Sequence, residues 1–109
     1  MLEHIKDTAD AISSEQTISV WSPDAGKYIA KTLGKPDQGL GYVRQTEPLG
    51  TGHALRQSLS KINQNNVVLV LLGDVTLVRP KTLLKLVNYA ATNRVTLLTT
   101  NIDDPKGYG

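Results

Sequence analysis

The spacing of apolar residues along the chain predicts alternating helices and strands. Apolar side chains recur every three or four residues over 2–12, which is typical of an amphipathic helix. Strict alternation with β-branched residues over 17–21 indicates a short strand instead. The remaining segments follow the same two patterns and predict helices over 23–33, 53–62 and 79–91, and strands over 42–45, 67–72 and 94–100.

The most apolar of these segments is the run from Val67 to Leu72, which contains six consecutive aliphatic residues between Asn66 and Gly73. Such a run predicts a strand that is buried on both faces, as in parallel sheets. The element order is then αβαβαβαβ, and strands that alternate with helices indicate a three-layer α/β fold with a mostly parallel sheet. The 109 residues are enough for one domain, residues 1–109.

The composition excludes several classes of protein. The chain is 39% hydrophobic and 20% charged, which is typical of an ordinary globular domain. Its formal net charge of +2 is too small to indicate nucleic-acid binding. Because the chain has no cysteine, thiolate metal sites and a thiol nucleophile are excluded. No apolar run approaches the ~18 residues of a membrane span, no signal peptide is indicated, and we expect a cytoplasmic location.

Ligands of parallel sheets bind beyond the carboxyl ends of the strands, and three segments lie at such ends. Gln45 to Ala54 runs from a predicted strand into a predicted helix, and its glycines would let backbone N–H groups approach a ligand. An ordinary turn with Thr51 as helix cap is the alternative. His53 within this segment could be an acid or base, although a hydrogen-bonding role is the more common one.

The second segment is Gly73-Asp74, which follows the most apolar strand. A carboxylate at this position could bind Mg²⁺, which prefers oxygen ligands, or could cap the next loop. The adjacent acids Asp103 and Asp104 could also bind a metal, but an Asp-Asp-Pro sequence favours a turn.

Three motifs in order resemble a known family. They are Gln-x-Glu-x-Leu-Gly-Thr-Gly-His-Ala from residue 45, Gly-Asp-Val from residue 73, and Leu-Leu-Thr-x-x-x-Asp-Asp-Pro-x-Gly-Tyr-Gly up to residue 109. Together they are similar to the uridylyltransferase domain of bifunctional N-acetylglucosamine-1-phosphate uridylyltransferase/glucosamine-1-phosphate acetyltransferases. The resemblance implies a Rossmann-like nucleotide-diphospho-sugar transferase fold.

This resemblance also implies a reaction and a set of site residues. UTP and N-acetylglucosamine 1-phosphate would form UDP-N-acetylglucosamine and pyrophosphate, with Mg²⁺ as cofactor. Gln45 and the pair Gly50-Thr51 would hold the uracil, Asp74 would bind Mg²⁺, and Gly73 and Gly109 would contact the sugar nucleotide.

The chain departs from the family pattern in one important respect. The family's glycine-rich triphosphate loop, Leu-x-x-Gly-x-Gly-Thr-x-Met, does not occur in these residues, which resemble an internal, truncated fragment of the domain. We therefore expect no turnover by this chain alone. The strand before that loop would lie between 17–21 and 67–72 in the family fold, so we expect an exposed strand edge and self-association into a homo-oligomer.

A receiver-like signalling module without catalysis is the alternative from another functional class. An aspartate after a buried strand, Asp74, and the pair Thr99-Thr100 at the end of the next strand suit this interpretation. An acidic pair after an earlier strand and a lysine after a fifth strand would also be required, and the sequence pattern offers neither.

Overall fold

The computed structural model describes residues 2–37, 39–75, 77–92, 94–104 and 106–107. Their elements are four α-helices and two strands, with two short 3-10 turns. In chain order these are α1 (Leu2–Ala11), β1 (Thr17–Trp21), a turn at Pro23–Ala25, α2 (Gly26–Leu33), β2 (Leu40–Arg44), α3 (Thr51–Ser58), a turn at Leu59–Lys61, and α4 (Pro80–Ala90).

The two strands form a parallel sheet. Thr17 is opposite Leu40 at one end, and Trp21 is opposite Arg44 at the other. The Thr17 N–H donates to the Gly39 carbonyl oxygen at 2.7 Å, so pairing continues past the first register position. Parallel strands need a crossover connection, and α2 supplies it. The α/β class and its parallel sheet are therefore confirmed.

The helices bury a small aliphatic core against the sheet and against each other. α3 packs on both strands, while α1 packs on α2 and α4. The buried apolar residues come from α1, α2, β2 and α4 and are Ala9, Ile29, Leu40, Val43 and Leu83. The most buried is Leu83 of α4, at 2% exposure.

The element ends differ from expectation in local detail. Ser22 has the extended backbone of a helix cap, but its side chain makes no capping hydrogen bond, and a 3-10 turn rather than an α-helix follows it. Gly34 ends α2 with φ at 87°, a conformation that favours glycine. α3 starts at Thr51 rather than at residue 53, with Gly50 as its cap. Thr51 is thus the first helical residue and not the cap.

The third and fourth predicted strands are wrong for this structure. Residues 67–72 and 94–100 have no strand pairing within the described part of the chain. Val67 is 44% exposed and Val70 is 52% exposed, so the expected burial of 67–72 on both faces is also wrong. An aliphatic run indicates a preference for burial, but a strand also needs a neighbour with which to exchange backbone hydrogen bonds.

The molecular surface is unusually large. The accessible surface is 8807 Å², whereas a compact monomer of 11.8 kDa should have roughly 5,900 Å². The three-layer arrangement expected from the sequence stays a prediction. Among them, no helix has both the length and the apolar character needed to cross a membrane.

Candidate functional site

The carboxyl ends of β1 and β2 meet at one edge of the sheet, where ligands of parallel sheets bind. The Gln45 backbone N–H donates to the Trp21 carbonyl oxygen at 2.8 Å and extends the pairing by one residue. Gln45 is therefore held by the backbone at the end of β2, directly before the loop that leads to α3.

The Gln45 side chain turns into the start of α3 and is only 8% exposed. Its Nε2 donates to the Gly50 carbonyl oxygen at 3.2 Å. The same nitrogen lies 2.9 Å from Nδ1 of His53. The side chain thus ties the end of the strand to the loop and to the first turn of the helix.

Gly50 gives this loop its shape. Its φ of 97° and ψ of 175° lie in a region that residues with a Cβ rarely adopt. A Cβ at this position would meet nothing within 4 Å, so the requirement for glycine comes from the backbone conformation and not from crowding. The resulting turn points the Gly50 carbonyl oxygen at Gln45 and also at the Ala54 N–H, which donates to it at 3.1 Å.

Thr51 opens α3 and is exposed beside this loop. The first N–H groups of a helix have no partner within the helix and carry a partial positive charge. The loop therefore combines an amide side chain, held at one end, with a helix terminus that favours acceptor atoms or an anion.

His53 connects two glutamines. Its Nδ1 faces Gln45, and its Nε2 lies 3.0 Å from Nε2 of Gln57, one helical turn further along α3. The hydrogen-bonding role favoured for His53 is confirmed. The part played by Gln57 was not anticipated, although a histidine and a glutamine four residues apart on a helix are neighbours on one face.

Trp21 and Arg44 also lie at this edge of the sheet. The Arg44 Cζ lies 6.0 Å from the centroid of the Trp21 ring, at the limit of a cation–π contact. The indole ring also packs against Gly26, where a Cβ would lie only 2.3 Å from the ring. Gly26 thus leaves the space in which Trp21 sits beside the site.

Gly73 and Asp74 lie in a separate exposed turn. Among the described residues, the Asp74 carboxylate makes no ion pair. Asp104 accepts a hydrogen bond from the Lys106 N–H at 3.1 Å, which agrees with the turn favoured for this segment. Within the described residues, no three histidine or acidic side chains cluster in a way that could hold a metal ion.

The comparison with known proteins decides the family. The nucleotidyl transferase family matches residues 1–109 of the chain.

The chain belongs to the nucleotidyl transferase family.

Two relatives of this nucleotidyl transferase carry the name Bifunctional protein GlmU. The protein of Nitrosomonas eutropha is 39% identical over 109 residues, which is 100% of this chain and 23% of the relative. The protein of Albidiferax ferrireducens is 36% identical over 113 residues, which is 100% of this chain and 24% of the relative. The nucleotidyl transferase chain therefore spans about a quarter of the length of these relatives.

These matches confirm the resemblance that the three motifs indicated. They give no support to the receiver-like alternative, because the nucleotidyl transferase match extends over the whole chain.

The predicted site residues of the nucleotidyl transferase fall into three groups. Gln45 and Gly50 are in direct contact, and Thr51 follows Gly50 at the start of α3. Gly73 and Asp74 lie together in their own turn. Gly109 is outside the described residues. The roles assigned to these residues stay predictions.

Proposed function

We propose that this chain is the part of a sugar-1-phosphate nucleotidyltransferase that holds a uridine nucleotide at the loop between β2 and α3. One observation supports this proposal above all others, namely the fixed amide of Gln45. Its Nε2 is engaged by Gly50 and His53, while its Oε1 accepts no hydrogen bond from the described residues. No buried side-chain oxygen or nitrogen among them lacks a partner, and we infer from this that Oε1 faces the surface.

An outward amide oxygen beside a helix terminus suits a uracil base. The N3–H of uracil would donate to Oε1 of Gln45, and a uracil carbonyl oxygen would accept from an N–H group at the start of α3. Each such bond contributes about 1 kcal/mol, because both partners exchange a bond to water for it. Recognition by this loop alone is therefore weak.

The proposed reaction is the one that the resemblance of the three motifs implies. A phosphate oxygen of N-acetylglucosamine 1-phosphate attacks the α-phosphorus of UTP, and the bond from that phosphorus to the pyrophosphate oxygen breaks. The products are UDP-N-acetylglucosamine and pyrophosphate. This chemistry depends on positioning and on charge stabilisation, and the part assigned to Gln45 is to orient the base.

Mg²⁺ is the proposed cofactor, with Asp74 as its protein ligand. Mg²⁺ in nucleotide sites is commonly held by one or two carboxylates, together with substrate phosphates and water. A single exposed carboxylate fits that donor set, and the ion would neutralise phosphate charge. Gly73, next to Asp74, would let the backbone approach the sugar nucleotide closely, and Gly109 is assigned a similar contact.

Calorimetric titration with UTP and with UDP-N-acetylglucosamine, with and without Mg²⁺, tests this proposal. Binding should be measurable, and Gln45→Ala should weaken it by about fivefold through the loss of one hydrogen bond. Gln64→Ala is the matched control, because Gln64 is exposed outside the loop. Equal affinities for the Gln45 variant and the control would contradict the assignment of Gln45, and no binding by the unsubstituted chain would contradict the function.

We also propose a partner for the exposed aliphatic segment 67–72, namely a second copy of the chain. No backbone N–H of this segment donates to the backbone of another described residue. An unpaired apolar strand edge favours pairing with another chain. The surface in excess of a compact monomer exceeds the roughly 1,600 Å² that a stable interface buries, so the available area is sufficient.

Sedimentation equilibrium at several concentrations, together with amide exchange, tests the assembly. The dimer should dissociate on dilution, and exchange of the Val68 to Leu71 amides should become faster as it does. Val70→Lys should give a monomer, whereas Leu59→Lys, at an exposed position outside the segment, should not. A strictly monomeric species with these amides fully protected would contradict the proposal.

Three further expectations from the sequence stay predictions. They are the cytoplasmic location, the lack of nucleic-acid binding and the lack of turnover by the chain alone. Pyrophosphate release above a control without protein, abolished by Asp74→Ala, would contradict the last of them.

A further inference from the structure

The orientation of the Gln45 amide is decided by the chemistry of its neighbours. A carbonyl oxygen can only accept a hydrogen bond, so the end of the amide that faces the Gly50 carbonyl oxygen must be the NH₂ group. The same NH₂ group faces Nδ1 of His53 at 2.9 Å. Because an amide nitrogen only donates, Nδ1 must accept and therefore carries no proton.

An Nδ1 without a proton selects one tautomer of His53. A neutral imidazole with a bare Nδ1 carries its proton on Nε2. The near end of the Gln57 amide lies 3.0 Å from that nitrogen. Rotation of an amide by half a turn exchanges its oxygen and nitrogen at almost no steric cost, so the Gln57 oxygen can accept from Nε2–H. All four residues then form consistent hydrogen bonds. The Gln45 NH₂ group donates to the Gly50 carbonyl oxygen and to His53 Nδ1, and His53 Nε2–H donates to the Gln57 oxygen.

We infer that His53 is a positioning residue that sets which base the loop selects. As the Nε2–H form, it holds the Gln45 NH₂ group inward and leaves only the Gln45 oxygen for a ligand. The uracil N3 position carries a hydrogen and suits that oxygen, whereas N3 of cytosine carries a lone pair and opposes it. This selectivity rests on the proposed uridine site, but the orientation of the amide does not.

The first measurement addresses the orientation in the protein without nucleotide. Long-range ¹H–¹⁵N correlation spectra report which ring nitrogen of His53 carries the proton, at about pH 8, where an ordinary histidine is neutral. The expected result is a bare Nδ1 and a protonated Nε2. A proton on Nδ1 would overturn the inference, because Nδ1 could then not accept from Gln45.

The second measurement compares two substitutions of the ring. His53→Asn keeps an acceptor oxygen near the position of Nδ1, whereas His53→Phe keeps a ring of similar size and has no acceptor. The side-chain NH₂ resonances of Gln45 should stay well dispersed in His53→Asn and collapse towards free-amide positions in His53→Phe. The same change in both variants, or in neither, would overturn the inference.

The third measurement is the ratio of dissociation constants for CDP and UDP. The unsubstituted chain should prefer UDP, His53→Asn should keep most of that preference, and His53→Phe should lose about fivefold of it, the size of one hydrogen bond. An unchanged ratio in His53→Phe would overturn the selectivity assigned to His53. If neither nucleotide binds any form, the proposed function and the selectivity both fail, while the ring and amide resonances still decide the orientation.

Discussion

Two regions of this molecule have similar apolar patterns and different structures. In the amino-terminal region, Val20 of β1 is opposite Val43 of β2, and Val43 is buried against α3 and the sheet. In the carboxy-terminal region, Val70 and Val95 lie in segments of similar β-branched character but are exposed. Composition therefore does not distinguish the two regions.

The difference lies in the pairing partner. β1 and β2 follow one another with a crossover helix between them, so each supplies the backbone donors and acceptors that the other needs. Segment 67–72 has no such neighbour among the described residues. A β-strand forms only when a second strand supplies backbone hydrogen-bond partners. A segment whose sequence favours a strand stays unpaired and exposed when that second strand is missing.

The largest effect is expected at the point where the carboxy-terminal region is anchored. Leu83 of α4 is buried at the contact of α4 with α1, whereas its neighbour Leu84 is 43% exposed. Leu83→Ala should lower the free energy of unfolding by about 3 kcal/mol, because it removes buried methyl groups and leaves a cavity. Urea denaturation measures this loss, and Leu84→Ala is the control, with an expected cost below about 1 kcal/mol. Equal costs would mean that α4 is not anchored through Leu83.

The next comparison makes the same type of substitution, valine to alanine, in each of the two regions. Val43→Ala should cost about 2 kcal/mol of unfolding free energy, since two buried methyl groups are lost. Val70→Ala should cost less than about 0.5 kcal/mol in the monomer, because its methyl groups are already in water. The measurement is urea denaturation at a concentration below that of self-association. A cost at Val70 as large as that at Val43 would show that segment 67–72 is packed.

A smaller contrast concerns two glycines. Gly26→Ala would place a Cβ 2.3 Å from the Trp21 ring, so the ring must move at a cost of about 1–2 kcal/mol. Gly73→Ala meets nothing within 4 Å and should stabilise the chain by about 0.5 kcal/mol through reduced freedom of the unfolded state. Thermal unfolding followed by near-ultraviolet circular dichroism reports both the stability and the Trp21 environment. An unchanged Trp21 signal in Gly26→Ala would contradict the close packing.

The smallest effect is expected at an exposed ion pair of α1, away from both the paired strands and the unpaired segments. Lys6 Nζ lies 2.6 Å from Asp10 Oδ2, and this hydrogen bond raises the pKa of Lys6 above its ordinary value of 10.5. A raised lysine pKa means that the contribution to stability is present below the ordinary pKa and is lost as pH rises through the raised value. A double-mutant cycle with Lys6→Met and Asp10→Asn should show a small coupling at neutral pH and none once Lys6 is deprotonated. Coupling that persists in strong alkali would exclude the ion pair as its source.

The sequence predicts the fold best where each signal is local. The helices, the β1 strand and the glycine that ends α2 depend on periodicity and on backbone preference within a few residues. The failures at 67–72 and 94–100 depend on contacts with distant residues, which periodicity does not contain. Tyr28 and Leu59 also show that periodicity does not predict tertiary contacts. They lie on predicted apolar faces but are exposed, because no element among the described residues covers them.

The sequence predicts residues of the candidate site but not the hydrogen bonds that connect them. The motif indicated Gln45 and Gly50 together, and they are in contact. The link through His53 to Gln57 depends on side-chain directions at the start of α3, and α3 begins two residues earlier than expected. A histidine four residues before a glutamine is too common for the spacing alone to reveal it.

The most direct test of the central claim is an NMR titration with UDP. If the loop between β2 and α3 holds the uridine nucleotide, the backbone resonances from Gln45 to Ala54 and the Gln45 side-chain NH₂ should shift together and saturate with one dissociation constant. Resonances of the exposed segment 94–98 should not follow that curve. Shifts confined to other residues, with Gln45 to Ala54 unchanged at saturating UDP, would contradict the account.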